Sequence, residues 1–405
     1  MHVKIYLAAF GSRGDNEPFR ALAAKADAAG HEVYFAHTSD LDTDPGALYR
    51  ELELPGSVEN VIAEQGVSVV RALLNYRSVM RPLLEGVWDA TTQQILDIRP
   101  DVVVYHPKVM TAALAAHAVG AIAAEVDIVP TMTPTKEFPP AGIPAGIPRS
   151  WNRAAYSLVN AGMSSFASTL RKRADDLGVI RVESDLVLCP VSPTLVPHPA
   201  DWPEFAHVTG QWHRPSEDDL DPELERFMSD GQIVYAGFGS MRDSRGKARA
   251  GAIVKAARSL GMKTLLVTGW GGLVPTAEHE QASDVLVRTA VPHSAVLPRV
   301  AVGIHHGGAG TTHAFVRAGT PSIIMPFLAD QPWWGARLSS LGLGPKPLSR
   351  ATTRPSVIAK SITEALSQRD KVERAAATMA QEDGAGVALT IIERAETGVS
   401  PLRPA

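Results

Sequence analysis

A single cysteine, Cys189, stands in 405 residues, so no intramolecular disulfide can form and the usage fits a reducing compartment. It falls in the strand-like "DLVLCP" and reads as a small buried apolar residue. No apolar run approaches the length of a membrane-spanning helix. The opening "MHVKIYLAAFGS" lacks the charged start, long apolar stretch and cleavage site of a secretory signal. These absences lead us to expect a soluble, cytoplasmic protein. A basic excess is missing too: 39 Lys and Arg against 43 Asp and Glu leave a net charge of −4. That argues against a nucleic-acid partner, because phosphate backbones require a concentrated basic surface. There is no Gly-x-x-x-x-Gly-Lys, no Gly-x-Gly-x-x-Gly at either domain start, and no zinc-ligand spacing, which demotes ATP hydrolysis, NAD chemistry and zinc. "DLDTDPGALYRE" sets Asp40, Asp42, Asp44 and Glu51 at calcium-loop spacing, but Pro45 stands where the sharp turn demands glycine.

What is present is a chain 45% hydrophobic and 20% charged, long enough for two ordinary domains. Two openings look alike. "VKIYLAAFGSRGDNEP" and "QIVYAGFGSMRDSRG" each run an apolar strand into Phe-Gly-Ser, followed by an alanine-rich helix, a glycine stop and a second apolar strand. Near-continuous apolar strands then alternate with helices in both halves. This predicts an α/β protein of two Rossmann-like doubly wound parallel-sheet domains facing across a cleft. We expect an N-terminal domain over 1–200, a proline- and charge-rich linker over 201–219, a C-terminal domain over 220–385, and a C-terminal helix and tail over 386–405 packing back on the first domain. Residues 40–90 and Pro130–Ser150 read as long loops.

The carboxyl ends of the strands are where such sheets bind ligands, and three motifs fall there. "HHGGAGTT" offers Gly307, Gly308, Ala309 and Gly310 for close backbone approach, with Thr311 or Thr312 able to cap the next helix. A helix N-terminus there suits a phosphate or diphosphate, and His306 can add a hydrogen bond to it; packing of a glycine-rich turn is the alternative. Asp330 and Gln331 close a strand in "PFLADQPWWG". They can bind neighbouring sugar hydroxyls, or Asp330 can cap a helix. Asp15, in "GSRGDNEP", can take a proton from an incoming hydroxyl as general base, or cap its own helix. Ser12 and Ser240 can donate to diphosphate oxygens or hold turns. Leu, Val, Met and Trp88 among arginines over 55–90 suit a lipophilic acceptor, though a plain core helix explains much of that pattern.

"FGSRGDNEP", "GWGGL" and "VPHSAVLPRVAVGIHHGGAGTTHAFVRAGTPSIIMPFLADQPWWGARLSSLGLGP" together resemble family-one glycosyltransferases, and within them the vancomycin-type antibiotic and sterol 3β-glucosyltransferases. The resemblance implies the GT-B fold. It also implies an inverting transfer of a hexose from a UDP- or dTDP-sugar to a hydroxyl of a lipophilic small molecule, with no metal or other cofactor. It implies Asp15 as the base, and His306, Gly308, Ala309, Gly310 and Thr311, with Ser12 and Ser240, as the diphosphate site. Asp330 and Gln331 become the donor-sugar readers. The plant branch stacks the nucleotide base on a tryptophan where this chain has Ala290, so Trp270, with Val291 and His293, is the expected nucleoside site. A sugar-nucleotide epimerase of the same fold and a non-catalytic nucleotide-sugar-binding activator are the alternatives.

Overall fold

The computed structural model describes residues 2–57, 80–143, 147–214, 220–239, 241, 244–269, 271–399 and 401–403. The chain forms two compact units: 1–140 with 147–214 and 382–405, and 141–146 with 215–381. Each unit is built on one parallel sheet. In the first, β1 (Lys4–Ala8), β2 (Glu32–His37), β3 (Arg50–Glu53), β4 (Val102–Tyr105), β5 (Ile122–Val126), β6 (Leu186–Cys189) and β7 (Ala206–Val208) lie in the order β3-β2-β1-β4-β5-β6-β7. In the second, β8 (Ile233–Gly237), β9 (Lys263–Val267), β10 (Val285–Arg288), β11 (Val302–His305) and β12 (Ser322–Ile324) run β10-β9-β8-β11-β12.

Both sheets are apolar on both faces, as continuous hydrophobic strands require. Side chains alternate across β1: Ile5 and Leu7 pack with Phe19 and Leu22 of helix Arg13–Ala28, while Tyr6 and Ala8 pack with Val87 and Trp88 of helix Arg81–Ile98. Trp88 is 1% exposed and its Nε1 donates to Lys108 O at 2.7 Å, so it belongs to the core rather than to an acceptor surface. Removing a ring of that size would cost about 3–5 kcal/mol. The second sheet is covered in the same way, Ala236 and Ile304 facing helices Gly246–Ser259 and Pro355–Leu366 and Tyr235 and Leu265 facing Phe315.

The structure departs from the expected boundaries where strands are too short to show a period. β3 lies inside 40–90, which is therefore not one loop, and residues 58–79 of that stretch lie outside the described residues. β7, three residues after Pro203, lies inside 201–219, so that stretch is in part the edge of the first sheet. Helix Gly384–Glu396 packs on Arg13–Ala28 through Ala388, Leu389 and Ile392, with Lys25 Nζ 2.7 Å from Asp383 and His31 Nε2 3.1 Å from Glu393. Among the described residues no helix is long and apolar enough to cross a membrane.

Candidate active site

Each sheet has one place where successive connections leave in opposite directions: between β1 and β4, and between β8 and β11. The crevice beyond the carboxyl ends of such a strand pair is where open parallel sheets hold ligands. Asp15 and His106 meet at the first, Gly239 and His306 at the second.

In the first unit, β1 ends at Ala8, and Gly11 has φ +151°; a Cβ there would lie 2.3 Å from Asp15 Oδ2. Only glycine lets the carboxylate fold back over this turn. Asp15 stands at the third position of helix Arg13–Ala28. Its Oδ2 accepts from Ser12 N at 2.8 Å and from Ser12 Oγ at 2.9 Å, so the capping reading holds for that oxygen. Ser12's hydroxyl is thus engaged with Asp15. The other oxygen, Oδ1, lies 3.7 Å from His106 Nε2. Asp15's side chain keeps 29% of its surface exposed, against 8% for His106.

His106 was not singled out from the sequence, although "VVVYHP" places a polar ring one residue past a buried strand. Its Nδ1 accepts from Lys108 N at 3.1 Å, which puts the ring proton on Nε2, toward Asp15. Burial, reinforced by Lys108 and opposed by Asp15, pushes the imidazole below its usual value, so the ring is neutral at pH 7. Burial alone would raise the Asp15 carboxyl. Lys108, His106 and Ser12 together outweigh it and hold the carboxyl below the usual carboxylate range.

In the second unit, β11 ends on His305, whose Nδ1 accepts from Gly307 N at 3.1 Å and whose Nε2 lies 3.1 Å from Ser322 Oγ. His305 stacks on Phe315 at 4.8 Å and is wholly buried, so it braces the turn. His306 turns the other way. Its Nδ1 is buried with no hydrogen-bond partner among the described residues. Burial, with the nearby His293, pushes its imidazole down to about 4. Gly307 has φ +94°, and a Cβ there would lie 2.6 Å from Ile324 Cγ2. A Cβ on Gly308 would lie 2.7 Å from His306 Nε2, and one on Gly239 would lie 3.5 Å from His306 Cε1.

Helix Ala309–Arg317 follows, with Gly308 at its N-cap and no side chain capping it. The expected cap from Thr311 or Thr312 does not form, because the helix starts at Ala309 and both threonines lie inside it. Its first N–H groups therefore have no acceptor within the helix.

The next strand end carries the acid-amide pair. Ala329 holds φ +54°, an uncommon conformation for a residue with a Cβ. Asp330 sits at the N-cap of helix Gln331–Leu341, but its side chain does not cap; Oδ2 accepts from Trp334 Nε1 at 3.0 Å. Gln331 Oε1 accepts from Phe327 N at 2.7 Å and Leu328 N at 3.1 Å, so that oxygen holds the turn. Its amide nitrogen donates to Met241 Sδ at 3.6 Å. Arg249, fully buried, ties these loops together: it donates to Gly272 O at 2.8 Å and to Arg350 O at 3.1 Å, and lies over the Phe238 and Phe327 rings at 5.3 and 4.8 Å.

Val291 packs at the edge of the second core, and His293 Nε2 lies 3.2 Å from the Tyr235 hydroxyl. Ser240 and Trp270 lie outside the described residues. The acids of the calcium-like stretch are engaged elsewhere: Asp40 accepts from Thr38 and Ser57, Asp44 pairs with Arg214, and Glu51 lies 3.6 Å from Arg20.

Residues 278–392 match the C-terminal domain of the erythromycin biosynthesis protein CIII-like family. Vancomycin aglycone glucosyltransferase of Amycolatopsis orientalis is 31% identical, the alignment covering 96% of this chain and 97% of that one. A sterol 3-beta-glucosyltransferase of Debaryomyces hansenii is 28% identical over 91% of this chain, which spans only 26% of that longer protein. Among solved structures, spinosyn forosaminyltransferase shares the fold at a TM-score of 0.71, with 17% identity and coverage of 98% and 100%. With two Rossmann-like sheets and near-complete alignment to the vancomycin enzyme, the chain belongs to the antibiotic-type family-one glycosyltransferases of GT-B fold.

Proposed function

We propose that the protein transfers a hexose from a UDP- or dTDP-sugar to a hydroxyl of a lipophilic small molecule, natural product or sterol-like, with inversion and without a metal ion. The observation that carries the reading is the end of β11: an uncapped helix start at Ala309 beside His306, whose Nδ1 is buried with no partner among the described residues. Free N–H groups and a positive dipole end stabilise the charge that grows on a departing diphosphate, and the His306 imidazole adds one donor. These groups supply the positive field that a cation supplies elsewhere. Asp330 and the Gln331 amide nitrogen are assigned to the sugar, and Val291, His293 and Trp270 to the nucleoside.

Asp15 takes the acceptor proton through Oδ1. A carboxylate held below its ordinary range is a weak base, so it accepts the proton late, as the new O–C bond makes the hydroxyl acidic. His106 cannot be the base while Lys108 N–H occupies its Nδ1, because Nε2 then carries the proton. It instead donates toward Asp15 and keeps that carboxylate charged. His106→Phe should raise the Asp15 carboxyl toward its ordinary value of about 4 and move the acid limb of kcat upward, so turnover falls more at pH 4 than at pH 8. His106→Asn should restore part of the loss, and an unshifted limb would reduce His106 to packing.

The function itself is tested by calorimetry with UDP, dTDP and GDP in the presence of a chelator. UDP or dTDP should bind, and turnover of the corresponding sugar should persist. Activity that disappears with the chelator and returns with magnesium or manganese would overturn the metal-free reading.

A further inference from the structure

An open cavity of about 700 Å³ lies on the first unit, on the chain that leaves the carboxyl end of β5. Among the described residues it is lined by Lys136, Arg149, Ser150, Arg153 and Ala154, with no carboxylate. In a chain of net charge −4, three cations around one hollow are a local inversion of sign. Asp201 lies 3.6 Å from Arg153 and offsets one of them. Lys136 Nζ and the Arg149 guanidinium have no ion-pair partner among the described residues.

The scaffold beneath these cations is fixed. Lys136 N donates to Asp201 Oδ2 at 3.0 Å, and Lys136 O accepts from Asn152 Nδ2 at 3.0 Å. Asn152 is buried, and the buried Tyr156 donates its hydroxyl to Phe138 O at 3.3 Å. Asn152 and Tyr156 are the buried residues of helix Asn152–Ser164. Its outer side continues the cavity as an apolar stripe: Trp151 and Leu158 are each 65% exposed, and Ala154 stands between them at helical spacing. Exposed side chains of that size beside a cationic hollow fit a ligand with an apolar body and an acidic end.

We propose that this cavity seats the acid group of an amphiphilic acceptor: a carboxylate against Lys136, Arg149 and Arg153, and the apolar body along Trp151 and Leu158. The proposal builds on the transferase reading by naming the acceptor class. Asp15 follows β1 and Lys136 follows β5 of the same parallel sheet, and both are assigned to the acceptor. The donor's diphosphate is assigned to the other unit. An anionic membrane is the other conceivable occupant, but two apolar side chains and a local charge of two make a weak anchor.

Binding, rather than turnover, tests this. The probes are 6-hydroxy-2-naphthoic acid and its methyl ester, titrated calorimetrically into the full chain. Exposed ion pairs are individually weak, so the acid should bind about tenfold more tightly than the ester, with the preference shrinking at high salt. The Arg149→Gln/Arg153→Gln variant should lose that preference while keeping the ester's affinity and the wild-type affinity for UDP or dTDP. Equal binding of acid and ester by the wild type would overturn the proposal, as would a variant that weakens both alike. Adsorption to phosphatidylglycerol vesicles without preference for the acid would overturn it too. None of these outcomes touches the transferase reading, which stands or falls on nucleotide binding and sugar turnover.

Discussion

Asp15→Asn should lower kcat by about 10³ with the preferred donor and acceptor, and leave the affinity for the donor nucleotide within about twofold. The size follows from what a positioned general base contributes, roughly 10²–10⁴. Asparagine is the informative replacement because it keeps the shape of the turn. The Oδ2 that accepts from Ser12 N and Oγ becomes an amide oxygen able to do the same, so the helix start survives and the loss is chemical. The atom facing His106 Nε2 becomes an NH₂, which meets a donor with a donor, a modest local cost. Depressed as it is, the Asp15 carboxyl stays ionised through the neutral and mildly acidic range. Its contribution to stability is present above the ordinary carboxylate value and is lost only as pH falls through its lowered one. The wild-type rate should therefore show no acid limb from Asp15 between pH 5 and 8. A variant with unchanged turnover, or one that fails to bind nucleotide at all, would remove Asp15 from the base role.

Much of this was legible in the chain because continuous apolar strands and glycine stops mark a parallel sheet whatever surrounds them. "AVGIHHGGAGTT" announced a strand, a turn and a helix start, and the structure has all three. Less visible was the way polar side chains divide between support and chemistry. His305 and His306 are neighbours of one residue type, yet one is locked between Gly307 and Ser322 while the other's Nδ1 has no partner among the described residues. Only the pleat of β11 separates them. Gln331 likewise reads as a ligand-binding amide until its oxygen is seen holding Phe327 and Leu328. His106 was missed for a different reason: its partner is 91 residues away in sequence, across a sheet order that no local pattern reveals. β3 and β7 escaped because four or three residues are too few to display a period.

His306→Ala should cost about 10²–10³ in kcat, the loss usually seen when one donor to a developing anion is removed, together with weaker binding of the nucleotide diphosphate. Burial keeps this imidazole neutral down to about pH 4, below the ordinary histidine value near 6.5. Between those two values the unfolded chain binds a proton that the folded chain refuses, so stability falls as pH drops from about 6.5 toward 4. His313, held down to about 4 by the same cause, and His305, held well below its usual value, add to that slope. A bound diphosphate reverses the balance at His306 alone, because a dianion beside the ring favours the imidazolium. A UDP- or dTDP-sugar has no ionisation of its own near neutrality on its diphosphate. Its binding should therefore tighten from pH 8 to pH 6 with measurable proton uptake in calorimetry across two buffers of different ionisation enthalpy. In His306→Ala the uptake should vanish while His305 and His313 leave the pH slope of unfolding largely in place. Proton uptake that persists in the variant would move the anion contact to another group, and equal affinity would take the diphosphate away from the end of β11.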